Sequence, residues 1–244
     1  MLKVNQDSIE ELKKELQSQK QQPPFGTAPY EWLSWICQKN SIQMLNNALP
    51  LMSKSAISRE DIYKIVLNNN IETTACVTAI LAWGGMRRNS GFTALSTLKY
   101  WLPTCDEIRS GKLSRTEAYD KFMSFRLKDQ MKGMGPAFFT KLIFFLMHNQ
   151  KKQGYIMDQW TAASVNLLSQ SSLVKTNKIK NKKSYFEIVS DKNTALDYEN
   201  FCSFVEDIAT DLNRNPVDVE LAMFSEGRGN GGWRNYIVNS RIIN

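Results

Sequence analysis

Residues 71–83, IETTACVTAILAW, limit the possible folds most sharply, because after Glu72 they are almost wholly apolar. A helix on a protein surface keeps one polar face, whereas a helix apolar all round must be covered on most sides. Gly84-Gly85 ends the run. A chain built on such a segment needs several further elements to bury it, and the remaining sequence supplies helices.

Apolar residues recur at helical spacing along most of the chain, and strand-like alternation is scarce. The spacing predicts a charged amphipathic helix over 7–20, starting at Asp7 or Ser8, before a break at Pro23-Pro24-Phe25-Gly26. A Trp-rich helix over 30–39 and a short one over 41–49 follow. Ser58-Arg59-Glu60-Asp61 then reads as a cap with acids in the first turn of the next helix. Further helices fit 90–101, 104–110, 114–124, 136–148, 158–170, 199–213 and 216–225, with Pro216 in a first turn. Residues 171–198 differ: five lysines between Lys175 and Lys183, then SYFEIVS, suggest an insertion with at most a short strand or hairpin. The tail from Gly227 opens on GRGNGG and carries Trp233 and Tyr236. The expected class is all-α.

With 244 residues, 42% of them hydrophobic, the chain can bury a sizeable core. Its 31 Lys and Arg against 24 Asp and Glu leave a net charge of +7, which favours a polyanionic partner through counterion release. No uncharged apolar run approaches the ~18–20 residues of a membrane span, and the charged N-terminus has no signal-peptide pattern. A soluble, cytoplasmic protein is expected. Cys37, Cys76, Cys105 and Cys202 are dispersed without a CxxC pair, so no metal site is expected and buried thiols are. His148 is the one histidine, which all but removes Ser-His-Asp chemistry and multi-histidine metal sites.

The stretch over 131–166, MKGMGPAFFTKLIFFLMHNQKKQGYIMDQWTAASVN, carries the chemical signal. Gly133 and Gly135 flank one apolar residue between two helices, which permits a tight turn and close backbone approach. Pro136 then opens a helix whose first amides can hold a phosphate. Lys132, beside this hairpin, is a candidate phosphate contact. Arg87 and Arg88 follow Gly84-Gly85-Met86 and are either a solvated basic loop or a helix-terminal loop that contacts phosphate. Lys141 lies within FFTKLIFFLM, where it either snorkels to water or offers a desolvated, nucleophilic amine. Asp158 opens the next helix. A capping role is one reading; a carboxylate held at a helix mouth to stabilise positive charge on a sugar is compatible with it.

The run GMGPAFFTK followed by YIMDQWTAA resembles the helix-hairpin-helix DNA glycosylases, and is most similar to the bacterial 8-oxoguanine glycosylases of the OGG fold. PVDVELAMF (216–224) and LAWGG (81–85) agree more softly. The resemblance implies base excision from double-stranded DNA after the modified base is flipped out, without a cofactor, by a monomer. It implies that Asp158 is the catalytic carboxylate and Lys141 the Schiff-base lysine of an associated AP-lyase step. In the eukaryotic-type pattern the lysine falls at the place of Ala137, one turn before Lys141 on the same face. Trp32, Trp35, Trp83, Trp160, Phe138 and Phe139 are candidates to stack on a flipped base, or else core residues. Two lobes are expected after a helix and linker over 1–25: residues 26–70 together with 159–244, and residues 71–158, with the site in the cleft between them. A glycosylase of bulky modified bases in foreign phage DNA, a non-catalytic DNA-binding module and a protein–protein adaptor are the competing expectations. The adaptor explains the helices without the order of glycines, lysine and aspartate.

Overall fold

Side-chain oxygens set where four of the helices begin. Ser58, Ser114, Asp158 and Thr194 each accept a hydrogen bond from the backbone N–H three residues on, and Asp61, Glu117, Thr161 and Asp197 answer the capping residue's own N–H. Each such box satisfies donors that a first turn leaves over and contributes about 1 kcal/mol.

The computed structural model describes residues 4–18, 23–24, 26–39, 41–148, 150, 152–180, 185–224 and 232–242. In chain order the helices among them are α1 (Gln6–Ser18), α2 (Pro29–Cys37), α3 (Gln43–Ala48), α4 (Arg59–Leu67), α5 (Thr73–Trp83), α6 (Arg88–Ser96), α7 (Leu98–Arg109), α8 (Arg115–Leu127), α9 (Pro136–Leu146), α10 (Gln159–Ser169), α11 (Ala195–Asp211), α12 (Pro216–Phe224) and α13 (Gly232–Ile242). The sheet among these residues is one antiparallel pair between α10 and α11, β1 (Thr176–Lys180) with β2 (Tyr185–Val189), in register from Thr176↔Val189 to Lys180↔Tyr185. The fold is mainly α, and the lysine-rich insertion is a hairpin; Lys182 and Lys183 lie outside the described residues.

The chain divides into two compact units, residues 22–154 and residues 1–21 with 155–244. This corrects the expected lobes: residues 26–70 belong with 71–154, not with 159–244, and the N-terminal helix belongs with the C-terminal unit. The reason is α5. Every residue from Thr74 to Trp83 is buried, and α2, α3 and α4 join α7 and α9 in covering it. Each large apolar side chain so buried contributes about 1.5–3 kcal/mol, and the helices nearest in sequence supply the cover.

Within this unit the expected helices 90–101 and 104–110 are divided elsewhere. The break falls at Thr97, where Ser96 Oγ and Thr97 Oγ1 donate to the carbonyls of Phe92 (2.7 Å) and Ala94 (2.9 Å). Pro103 instead sits inside α7. Its missing N–H is outweighed by Trp101, Leu102, Cys105 and Ile108, which bury one face across it.

The other unit is built around α10, against which α1, α11, α12, α13 and β2 pack. The Tyr198 hydroxyl donates to the Tyr155 carbonyl at 2.9 Å, and the Asn5 N–H to that of Leu168 at 2.8 Å. Helix α11 begins earlier than its apolar spacing implied because Thr194 caps it. Helix α13 was hidden in sequence by the preceding glycines.

Candidate active site

The hairpin between α8 and α9 depends on one glycine. Gly133 has φ +76°, and a Cβ there would lie 2.6 Å from the Ser90 carbonyl oxygen and 3.2 Å from Thr93 Cβ. The hairpin therefore rests on α6, the helix that Arg87 precedes and Arg88 opens. Arg126 Nη1 ties it further by donating to the Met134 carbonyl at 2.6 Å. Gly135 is extended (φ −94°, ψ −176°) and caps α9 without a side chain, with Pro136 in the first turn. Pro136 has no N–H, and the Phe138 and Phe139 N–H groups donate to the Gly135 carbonyl at 2.9 and 3.1 Å, so the Ala137 N–H is the first-turn donor that could meet an anion. Lys132 is exposed and 3.7 Å from the Asp129 carboxylate, a surface pair that holds it weakly. Arg87 and Arg88 are exposed. Hairpin and basic loop occupy one neighbourhood of the 22–154 unit.

Lys141 is only 5% exposed. Its Nζ donates to the Ala137 carbonyl at 2.7 Å and stands 5.4 Å from the centre of the Phe138 ring. Its stem runs past Gly84, where a Cβ would lie 2.9 Å from Lys141 Cδ. Helical side chains lean toward the N-terminus, so a lysine at position 141 places its amine over the preceding turn. The amine therefore lies against the turn between residues 137 and 141. It does not snorkel away from the apolar helix.

Asp158 caps α10, as one of the two sequence readings required. Its Oδ1 accepts from the N–H groups of Trp160 (2.8 Å) and Thr161 (3.3 Å), and it is 7% exposed. Thr161 Oγ1 accepts from the Asp158 N–H at 2.9 Å and donates to the Ile156 carbonyl at 2.7 Å. The carboxylate is thereby fixed at a helix mouth, where backbone dipoles favour an anion. Nearby is a residue that sequence reasoning missed. Arg234, on α13, lies 4.6 Å over the Trp160 ring and donates through Nε (3.0 Å) and Nη2 (2.7 Å) to the Phe224 carbonyl. Burial lowers its pKa, against the opposing pull of Asp158 and Glu15.

Three of the aromatic candidates need correction. Trp32, Trp83 and Phe139 have no exposed surface. Trp32 donates to the Met86 carbonyl at 2.7 Å, Trp83 meets the Phe145 ring edge-on, and Phe139 packs on Tyr119 and Phe122. They are core, because helix-face apolar residues beside α5 and α9 fill the interior. Phe138 and Trp160 are half-buried and adjoin Lys141 and Arg234 respectively. Trp35 carries Lys39 over its ring at 4.3 Å. In the lysine-rich insertion, Lys175 pairs with Asp197 at 2.7 Å. Burial holds the thiols of Cys76, at about 11, and Cys105 far from the reactive range. No helix among the described residues is long and apolar enough to cross a membrane.

A buried lysine follows the glycine hairpin and an aspartate caps a later helix. A family model described as "OGG: Putative 8-oxoguanine DNA glycosylase OGG-like protein" matches residues 18–224. The chain belongs to this family, and its class is DNA glycosylase. No curated protein and no solved structure matches it.

Proposed function

We propose that the protein is a monomeric, cytoplasmic helix-hairpin-helix glycosylase that excises a modified base, 8-oxoguanine first among the candidates, from double-stranded DNA and can then act as an AP lyase. The carrying observation is the buried Lys141 amine turned back onto the Ala137 carbonyl in the helix that follows the hairpin. A buried amine is costly, and that cost supports a chemical role for it.

The Gly133–Gly135 hairpin, Lys132 and the Arg87–Arg88 loop grip phosphates while the base leaves the stack. As the bond between C1′ and the base breaks, positive charge grows on the sugar, and the Asp158 carboxylate stabilises it. Once its extra proton has passed to water, the Lys141 amine forms a bond to C1′ as the base departs with the bonding electron pair. Loss of the amine proton and ring opening give a Schiff base, from which the 3′ phosphate can be eliminated.

A panel of duplexes carrying single modified bases, 8-oxoguanine opposite cytosine among them, tests the assignment by abasic-site formation. Asp158→Asn is expected to abolish base release and leave duplex binding intact. Borohydride is expected to trap an enzyme–DNA adduct that Lys141→Gln loses. Unchanged release by Asp158→Asn defeats the carboxylate's role, and the lack of a wild-type adduct defeats the lyase step.

A further inference from the structure

Helix α13 lies beyond residue 224, where the family match ends, and most of α1 precedes residue 18, where it begins. The two helices nonetheless close on α10, the helix that Asp158 caps. Trp233 is buried. Its Nε1 donates to Ser164 Oγ at 2.8 Å, and that hydroxyl also lies 2.8 Å from the Trp160 carbonyl. The Trp233 N–H donates to Glu15 of α1 at 3.2 Å, and Tyr236 stacks on Trp233 while its hydroxyl meets Ser8 Oγ at 3.2 Å. The hydrogen bonds that Trp233, Tyr236 and Arg234 make outside α13 hold this short helix in one place.

That anchorage presents Arg234, itself 7% exposed. Two of its donors converge on the Phe224 carbonyl, and its planar guanidinium lies between the rings of Trp160 (4.6 Å) and Phe224 (5.1 Å). A buried guanidinium is costly, and packing alone would be served better by an apolar side chain. Arg234 lies near enough to Asp158 for the carboxylate to favour its charged form. It also fixes the indole of Trp160, the residue whose backbone N–H binds Asp158 Oδ1 at 2.8 Å.

We propose that Arg234 is a positioning residue for the active site: by clamping Trp160 and by its charge, it holds the Asp158 carboxylate ready for the developing sugar cation. The family-wide core would then rely, in this chain, on a terminal clasp outside it. The proposal rests on the assignment of Asp158 as the catalytic carboxylate, and the test separates the two.

Arg234→Met keeps most of the stem and removes the charge and the fork, whereas Arg234→Lys keeps the charge. Two measurements on the full chain decide. Thermal melts of wild type, Arg234→Met, Asp158→Asn and the double variant form a cycle that needs no substrate. Single-turnover base release is then followed on the panel duplex that the wild type cleaves fastest. We expect non-additive melting shifts. Release by Arg234→Met should fall on the order of ten-fold with unchanged duplex affinity, and Arg234→Lys should recover most of it. Additive melts overturn the proposal, as do equal losses in the Lys and Met variants that merely track their melting shifts. Wild-type release by Asp158→Asn, with coupled melts, instead overturns the catalytic role of Asp158 on which the proposal rests.

Discussion

Gly133→Ala tests whether the hairpin is built as the geometry says. At φ +76° an L-residue costs about 1–2 kcal/mol. The added Cβ would also stand 2.6 Å from the Ser90 carbonyl oxygen, where ordinary contact begins at 3.4 Å. That neighbour is backbone of α6 and cannot swing aside, so the hairpin must lift, an overpacking cost of about 1–3 kcal/mol. Together a loss near 3 kcal/mol is expected, or roughly 6–12 °C in melting temperature for a chain of this size. Gly135→Ala is the control, because φ −94° and ψ −176° are open to any residue; its cost should be only that of a poorer N-cap, about 0.5–1 kcal/mol. Calorimetry is the suitable assay, since two compact units can melt separately and a single-transition fit would then mislead. Lifting the hairpin off α6 also separates the Ala137 N–H from the Arg87–Arg88 loop, so duplex affinity should fall with stability. A loss below about 0.5 kcal/mol at Gly133, or equal losses at both glycines, would refute the argument.

Lys141→Met keeps a stem against Gly84 and deletes the buried charge, so it should melt within a few degrees of wild type yet yield no borohydride adduct; Lys141→Ala should lose about 2–3 kcal/mol besides, from the emptied space. A large destabilisation by the Met variant would mark the amine as structural. His148, stacked on Tyr63 with centroids 3.9 Å apart, has a pKa lowered from 6.5 by burial, with Glu60 pulling weakly the other way. The unfolded chain therefore protonates first: stability contributed by neutral His148 is present above pH 6.5 and is lost as pH falls from there toward the folded value. His148→Gln should flatten that part of a stability–pH curve, and an unchanged curve would refute the assignment.

What the sequence disclosed and what it hid follow from range. The all-helical class, the cap at Ser58, the buried run of α5 and the hairpin glycines are local patterns, legible in a few adjacent residues. Which helices cover α5 is not local. Residues 26–70 carry apolar faces that fit either unit, and only packing decides between them. The break expected between 101 and 104 is absent because the helix penalty of Pro103 yields to a buried face spanning it. For the aromatics, a tryptophan in a helix looks the same in sequence whether its ring faces solvent, as Trp160 partly does, or the interior, as Trp32 and Trp83 do. Arg234 gave no signal, because nothing near it in sequence shows that the chain will return to α10.

The one-turn displacement of the lysine becomes a question of reach. Four helical residues rise about 6 Å, close to the length of an extended lysine side chain, so full extension from position 141 would bring the amine level with residue 137. The 2.7 Å bond to the Ala137 carbonyl keeps the amine within the turn between residues 137 and 141. A stem so held needs a sheath, and Gly84 supplies one wall of it. Gly84→Ala puts a methyl 2.9 Å from Lys141 Cδ but leaves the backbone at ease, since its φ is −62°. A flexible stem can yield where a carbonyl cannot, so the stability cost should stay under about 1 kcal/mol. The amine, however, moves with its stem, and a misplacement of this kind costs on the order of ten-fold or more in rate. Borohydride trapping should therefore slow at nearly constant melting temperature. If trapping keeps its wild-type rate while Gly84→Ala folds normally, the position of the amine is not what the glycine protects.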